Sequence, residues 1–86
     1  MAAVKHSPAH SALGRAVRWS RARRDWSQDE LGLAAGLHRN YIGAIERGEI
    51  NATFSVLRRL ARGLQMPLSE LVAEGEKIER EIGVAS

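Results

Sequence analysis

From about residue 12 onward, apolar residues recur at three- and four-residue steps, the period of helices buried along one face. A first helix is predicted over about 12–24, with Ser11 available as N-cap and Arg21, Arg23 and Arg24 near its C-terminal dipole. Leu13, Ala16, Val17 and Ser20 share its inner face. That face is thin, because Ser20 stands where a large apolar residue is expected; Trp19 is adjacent and available to fill the gap. A second helix opens on Ser27-Gln28-Asp29-Glu30, a capping box, with Trp26 and Leu31 placed as a hydrophobic staple. Leu31, Ala34 and Ala35 form its buried face, and Gly36 stops it by entering the left-handed conformation.

A third helix carries Tyr41, Ile42 and Ile45 and ends at Gly48. A fourth starts behind Thr53 as N-cap and buries Phe54, Leu57, Leu60, Ala61 and Leu64. Pro67 suits the first turn of a fifth, with Leu68, Leu71, Val72, Ile78 and Ile82 along one stripe to about residue 82. No alternating β-branched run is present, so the fold class is all-α, a five-helix bundle. Residues 1–10 are small and polar and read as a loose arm, 11–74 as the folded body, and 75–86 as a helical C-terminal extension.

Composition narrows the function. A chain of 86 residues hides about 60–65% of its unfolded surface, too little core to enclose a large substrate cavity as well. Residues 1–65 hold 11 basic and 5 acidic side chains (+6), whereas 66–86 hold 2 and 5 (−3). A basic body suggests an anionic partner, and the acidic tail a different role. The absence of cysteine excludes a disulfide scaffold and thiolate metal sites, and fits a reducing cytosol. No apolar run approaches the roughly 18 residues of a membrane span, and no signal peptide is visible, so a cytoplasmic protein is expected.

Catalytic constellations are missing. His6 and His10 stand four apart but lack acidic or thiol partners nearby, so no metal is expected. Asp29 and Glu30 resemble paired carboxylates, yet capping explains both. There is no phosphate-binding Gly-rich loop and no nucleophile elbow; neither an enzyme nor a cofactor is expected.

Two short helices around a Gly turn remain, and here a family resemblance appears. The run Ser27-Gln28-Asp29-Glu30-Leu31-Gly32-Leu33-Ala34-Ala35-Gly36-Leu37-His38-Arg39-Asn40-Tyr41-Ile42-Gly43-Ala44-Ile45-Glu46-Arg47-Gly48 resembles the lambda-repressor/Cro-like, or XRE, helix-turn-helix proteins. The likeness extends over residues 13–71. Gly32 would let the two helices cross closely, and Ile42 and Ile45 would anchor the second, leaving 39, 40, 43, 44 and 47 for a major groove about 12 Å wide.

The resemblance implies base contacts at the start of the recognition helix. Arg39 suits guanine and Asn40 adenine, against the plainer reading of a solvated helix start. Gly43 and Ala44 are short, so readout would lean on Arg39 and Asn40 or on DNA shape. Gln28 would bond phosphate and brace the recognition helix. His38 falls where Ser or Thr usually caps; either it contacts phosphate or the helix starts a residue earlier. Arg47 and Asn51 would reach the backbone. Arg21 and Glu46 match a structural ion pair, and Asp25 and Gln65 replace customary turn glycines.

The stripe Leu68, Leu71, Gly75, Ile78 and Ile82 has no evident cover in a monomer, which suggests a dimer interface of Leu68, Leu71, Val72, Ile78 and Ile82, against the plainer reading of a frayed tail beyond Gly75. The expected function is a homodimeric transcriptional regulator on a pseudo-palindromic operator, with recognition helix about 38–47. Restriction–modification controllers, phage-type repressors and antitoxins share these features, with RNA polymerase or a toxin as a further partner. The alternative is an antitoxin or adaptor module of the same fold, working through protein contacts.

Overall fold

The computed structural model describes residues 7–85, with side chains to residue 83. Five helices follow in order: α1 (Pro8–Ala22), α2 (Gln28–Ala35), α3 (Arg39–Glu46), α4 (Phe54–Gly63) and α5 (Leu68–Ala85). No strand occurs among the described residues. One core joins all five, through Ala16 and Val17, Leu31 and Ala35, Ile42 and Ile45, Leu60, Ala61 and Leu64, then Met66 and Leu71.

The helix ends explain the compactness. Each of the first four helices is closed by a left-handed residue, Asp25, Gly36, Gly48 and Gln65 in turn. The next N–H then bonds back five residues: Trp26 to Arg21, Leu37 to Gly32, Glu49 to Ala44 and Met66 to Ala61. This 6→1 bond reverses the chain within a few residues. At Asp25 and Gln65 the conformation costs a side chain about 1–2 kcal/mol, which glycine avoids.

The start of α1 differs from the sequence expectation. Ser7, not Ser11, is the N-cap; its hydroxyl accepts from His10 N at 3.2 Å, and Pro8 takes the first turn, where its missing N–H costs nothing. Residues 8–10 therefore belong to the helix rather than to an arm, whereas His6 and the rest of 1–6 lie outside the described residues. The helix stops at Ala22, before 24, because Asp25 turns left-handed.

Three side chains face another way than expected. Trp19 does not fill the thin face of α1: Ser20 is sealed in the core, its hydroxyl without a hydrogen-bond partner among the described residues, while Trp19 is 56% exposed. The guanidinium of Arg23 lies 5.9 Å from its ring centroid. Phe54 is 67% exposed although Ala61, two turns on along the same face, is buried: Phe54 is the first residue of α4, and the buried positions Leu60, Ala61 and Gly63 all lie in the second half of that helix. Ala34 is exposed on α2; Gly32 takes the buried position in its place.

The C-terminal stripe is covered within the chain. α5 runs unbroken through residue 75, so a boundary there falls inside one helix. It lies along α1, with Gly75 buried and close to Leu13. Leu71 is fully buried in the core and cannot present itself to a partner chain. Leu68, Ile78 and Ile82 are half-buried, and Val72 is the exposed member, on the α4 side of the helix. The premise of an uncovered stripe fails because α1 lies alongside α5, with Leu13 against Gly75 and Arg15, Trp19 and Ala22 beside Ile78.

Gly14 is where α1 crosses α3. A Cβ on it would collide with the carbonyl oxygens of Ile45 and Glu46, both backbone and unable to swing aside. Gly14→Ala gains about 1 kcal/mol of helix propensity but forces the two helices apart, a strain of typically 1–3 kcal/mol or more. We expect a net loss of about 1–2 kcal/mol in urea unfolding; an unchanged or raised midpoint would show that the crossing has slack.

Candidate nucleic-acid interface

The local sequence builds α2 from both ends. Ser27 Oγ accepts from Glu30 N at 3.0 Å, and Glu30 returns a carboxylate oxygen to Ser27 N at 2.7 Å. At the other end, left-handed Gly36 turns the chain, and Gly32 lets α2 meet the turn, since a Cβ there would strike Leu37 O. The entry to α3 follows directly. His38 is its N-cap, with Nδ1 accepting from Asn40 N at 3.0 Å. The helix therefore starts at Arg39, with the histidine as cap and not a residue earlier. A neutral ring that accepts through Nδ1 carries its hydrogen on Nε2, which leaves a donor on the ring's other nitrogen.

The faces of α3 are sharply divided. Ile42 and Ile45 are buried in the core, while His38, Arg39 and Asn40 are exposed at the helix start. Among the described residues, the side chains of Arg39 and Asn40 make no hydrogen bond or ion pair. Ala44 is half-buried. Gly43 departs from the outward position expected of it: it is buried beneath Arg47 and Gln28, whose Nη1 and Oε1 would lie 3.0 and 3.3 Å from a Cβ there. Asn51 is exposed in the loop beyond α3, before α4.

A charged network fixes α3 against its neighbours. Glu46 accepts from Arg21 Nε at 2.7 Å, from Arg21 Nη2 at 3.0 Å and from Gln28 Nε2 at 3.0 Å. Arg21 Nη1 donates to Trp26 O at 2.7 Å. One carboxylate thus ties α1, α2 and α3, with the α1–α2 turn joined through arginine. The side chains are 15% (Arg21) and 3% (Glu46) exposed, and hydrogen bonding to Glu46 raises the Arg21 pKa against the opposing effect of burial. The sequence reading expected Gln28 to brace the recognition helix but did not name Glu46, 18 positions away, as its partner; the Trp26 carbonyl contact, only five positions from Arg21, carries no side-chain signal in the sequence. Gly14 carried a signal, a glycine inside a helix, that only the crossing explains. Arg47 pairs with Glu49, which the sequence left unassigned; that hydrogen bond and charge raise the arginine's pKa.

Of the residues expected to serve the interface, the fold gathers His38, Arg39 and Asn40 at the start of α3. It brings Gln28, Gly43 and Arg47 together beside the middle of that helix. Leu68, Leu71, Val72, Ile78 and Ile82 all lie on α5, apart from both groups.

Two helices joined by a tight left-handed turn, the second exposing an arginine and an asparagine, define a helix-turn-helix protein. Residues 17–71 match the HTH_3 helix-turn-helix family, and the chain belongs to this XRE-type family of DNA-binding regulators. It is 41% identical over 69 residues to control protein C.SmaI of Serratia marcescens, spanning 79% of this chain and 82% of that protein. The solved restriction–modification controller protein C.AhdI of Aeromonas hydrophila superposes with a TM-score of 0.69 at 33% identity, over 71% of this chain and 92% of the other. The clp gene regulator ClgR of Corynebacterium glutamicum shares the fold, with a TM-score of 0.84 at 21% identity over 95% and 86% of the two chains.

The network predicts its own test. Glu46→Ala strands a nearly buried guanidinium and the Gln28 amide and should cost about 3 kcal/mol in urea unfolding. An Arg21→Met/Glu46→Leu variant removes both charges and should recover most of that loss. A double variant no better than Glu46→Ala would show that the loss came from packing rather than from the stranded charge.

Proposed function

We propose that this regulator binds a pseudo-palindromic operator as a homodimer, with α3 of each subunit in the major groove of duplex DNA. The observation that carries the reading is the start of α3, where Arg39 and Asn40 are exposed and, among the described residues, unpartnered on a helix anchored by Ile42 and Ile45. In that position Arg39 suits guanine O6 and N7, and Asn40 suits adenine N6 and N7. Gln28, at the start of α2, would reach a flanking phosphate with the amide hydrogen that Glu46 leaves unused. His38 would offer Nε2–H to the backbone, and Arg47 and Asn51 would meet phosphates past the end of α3. Ala44 is placed to touch a thymine methyl, and Gly43 supports Gln28 and Arg47 from beneath.

The dimer reading moves with the structure. Phe54 is the most exposed aromatic residue described, Val72 is 38% exposed, and Leu57 lines a groove with Val72 where α4 and α5 meet Ala9 and Leu13 of α1. Phe54 and Leu57 are a helical turn apart on one side of α4. We assign the two-fold contact to this α4–α5 edge, with Val72 the member it shares with the sequence expectation. Two recognition helices would then stand about 34 Å apart, one turn of DNA.

Both halves are testable. With a duplex selected by the wild-type chain from a random library, Arg39→Ala should cost about 1–3 kcal/mol and relax preference at one base pair. Equal binding to selected and scrambled duplexes at every salt concentration would overturn sequence-specific recognition. In sedimentation equilibrium, Phe54→Glu should shift the chain to monomer without loss of helical circular dichroism; an unchanged dimer would place the two-fold elsewhere.

A further inference from the structure

The recognition helix ends beside an ion pair shaped like a phosphate contact. Arg47, the cap residue of α3, turns one edge to both carboxylate oxygens of Glu49: Nε to Oε2 at 2.8 Å and Nη2 to Oε1 at 3.1 Å. Arginine takes a phosphate with the same two-pronged geometry. Both side chains meet solvent, at 59% and 43% exposure. The remaining nitrogen, Nη1, lies over Gly43 beside the Gln28 amide, so the pair shares a surface with the start of α2 and the middle of α3. The backbone of Glu49 is anchored as well. Its N–H bonds to Ala44 O at 3.0 Å, behind left-handed Gly48.

We propose that Glu49 is a specificity-determining residue: it stands in for a DNA phosphate on Arg47 and withholds that arginine from any duplex that does not seat α3 fully. The inference rests on the groove-facing reading of α3 given above. An exposed pair is weak, so a phosphate held in register by a seated helix displaces the carboxylate readily. A loosely docked duplex instead meets an arginine already engaged by a carboxylate and loses one backbone contact. Backbone contacts supply nearly all non-specific affinity, so masking one weakens wrong complexes more than right ones. Arg39, which has no such partner among the described residues, stays available throughout.

The test uses the full chain and its Glu49→Gln variant, titrated over a range of salt against a duplex selected by wild type from a random library and a scrambled duplex of equal length. Affinity of E49Q for the scrambled duplex should rise about three- to ten-fold, with a smaller gain on the selected one, so that their ratio narrows. The salt slope on the scrambled duplex should steepen by roughly 0.9, the signature of one more neutralised phosphate. Glu49→Ala should behave alike, and in an Arg47→Ala background the gain from E49Q should fall to the small, sequence-independent increase that follows removal of one acidic charge. Unchanged affinity for the scrambled duplex, equal gains on both duplexes, or an effect undiminished without Arg47 would each overturn the proposal. So would a loss confined to one base pair of the selected duplex, which would make Glu49 a base contact. A wild-type chain that fails to discriminate the two duplexes defeats the groove reading itself; discrimination with a silent E49Q defeats only the role of Glu49.

Discussion

A single carboxylate holds the architecture in register. Glu46 sits at the end of α3 and accepts three hydrogen bonds, two from α1 and one from α2. A charge this deeply buried is tolerated only when paired and fully bonded, so it admits one mutual arrangement of the three helices. Apolar contacts alone would allow short helices to slide by small steps with little penalty. The directional demands of Arg21 and Gln28 remove that freedom, and through Gln28 the start of α2 is set relative to α3. Those two elements carry most of the proposed DNA contacts.

Close packing completes what the carboxylate begins. α2 and α3 are eight residues each, too short to be stable alone. Their stability comes from tertiary burial, and burial needs close approach. Gly14 and Gly32 provide it where a Cβ would strike a backbone carbonyl. The repeated left-handed ending supplies the rest, since it satisfies orphan carbonyls while turning the chain sharply. At Asp25 and Gln65 this geometry is imposed on side chains that prefer other conformations, so tertiary packing overrides local preference there.

The interface combines free and restrained charge. Arg39 and Asn40 lie open at the start of α3, whereas Arg47 is engaged by Glu49 and Arg21 by Glu46. The two engaged arginines differ in kind. One is nearly buried and structural; the other is solvated and exchangeable, since water screens its pair. The +6 of residues 1–65 is therefore a poor measure of what DNA would meet. Position, not number, separates a cation that positions a helix from one available to a phosphate.

Much of the fold was legible in the sequence because it is encoded within a few residues. The capping box of α2, the left-handed stop at Gly36, the anchors Ile42 and Ile45 and the cap Thr53 depend on neighbours one turn away, and the helical period made the all-α class plain. The Arg21–Glu46 pair, 25 positions apart, was reached through family resemblance rather than local pattern. What only the tertiary structure decided involves distant partners. That α1 covers the α5 stripe and seals Leu71, that Phe54 faces outward, that Gly43 lies beneath Gln28 and Arg47, and that Gly14 must be a glycine all follow from which helix packs where. Periodicity reports that a helix has an apolar side; it does not say which neighbour covers that side, because burial belongs to pairs of helices brought together by the whole chain.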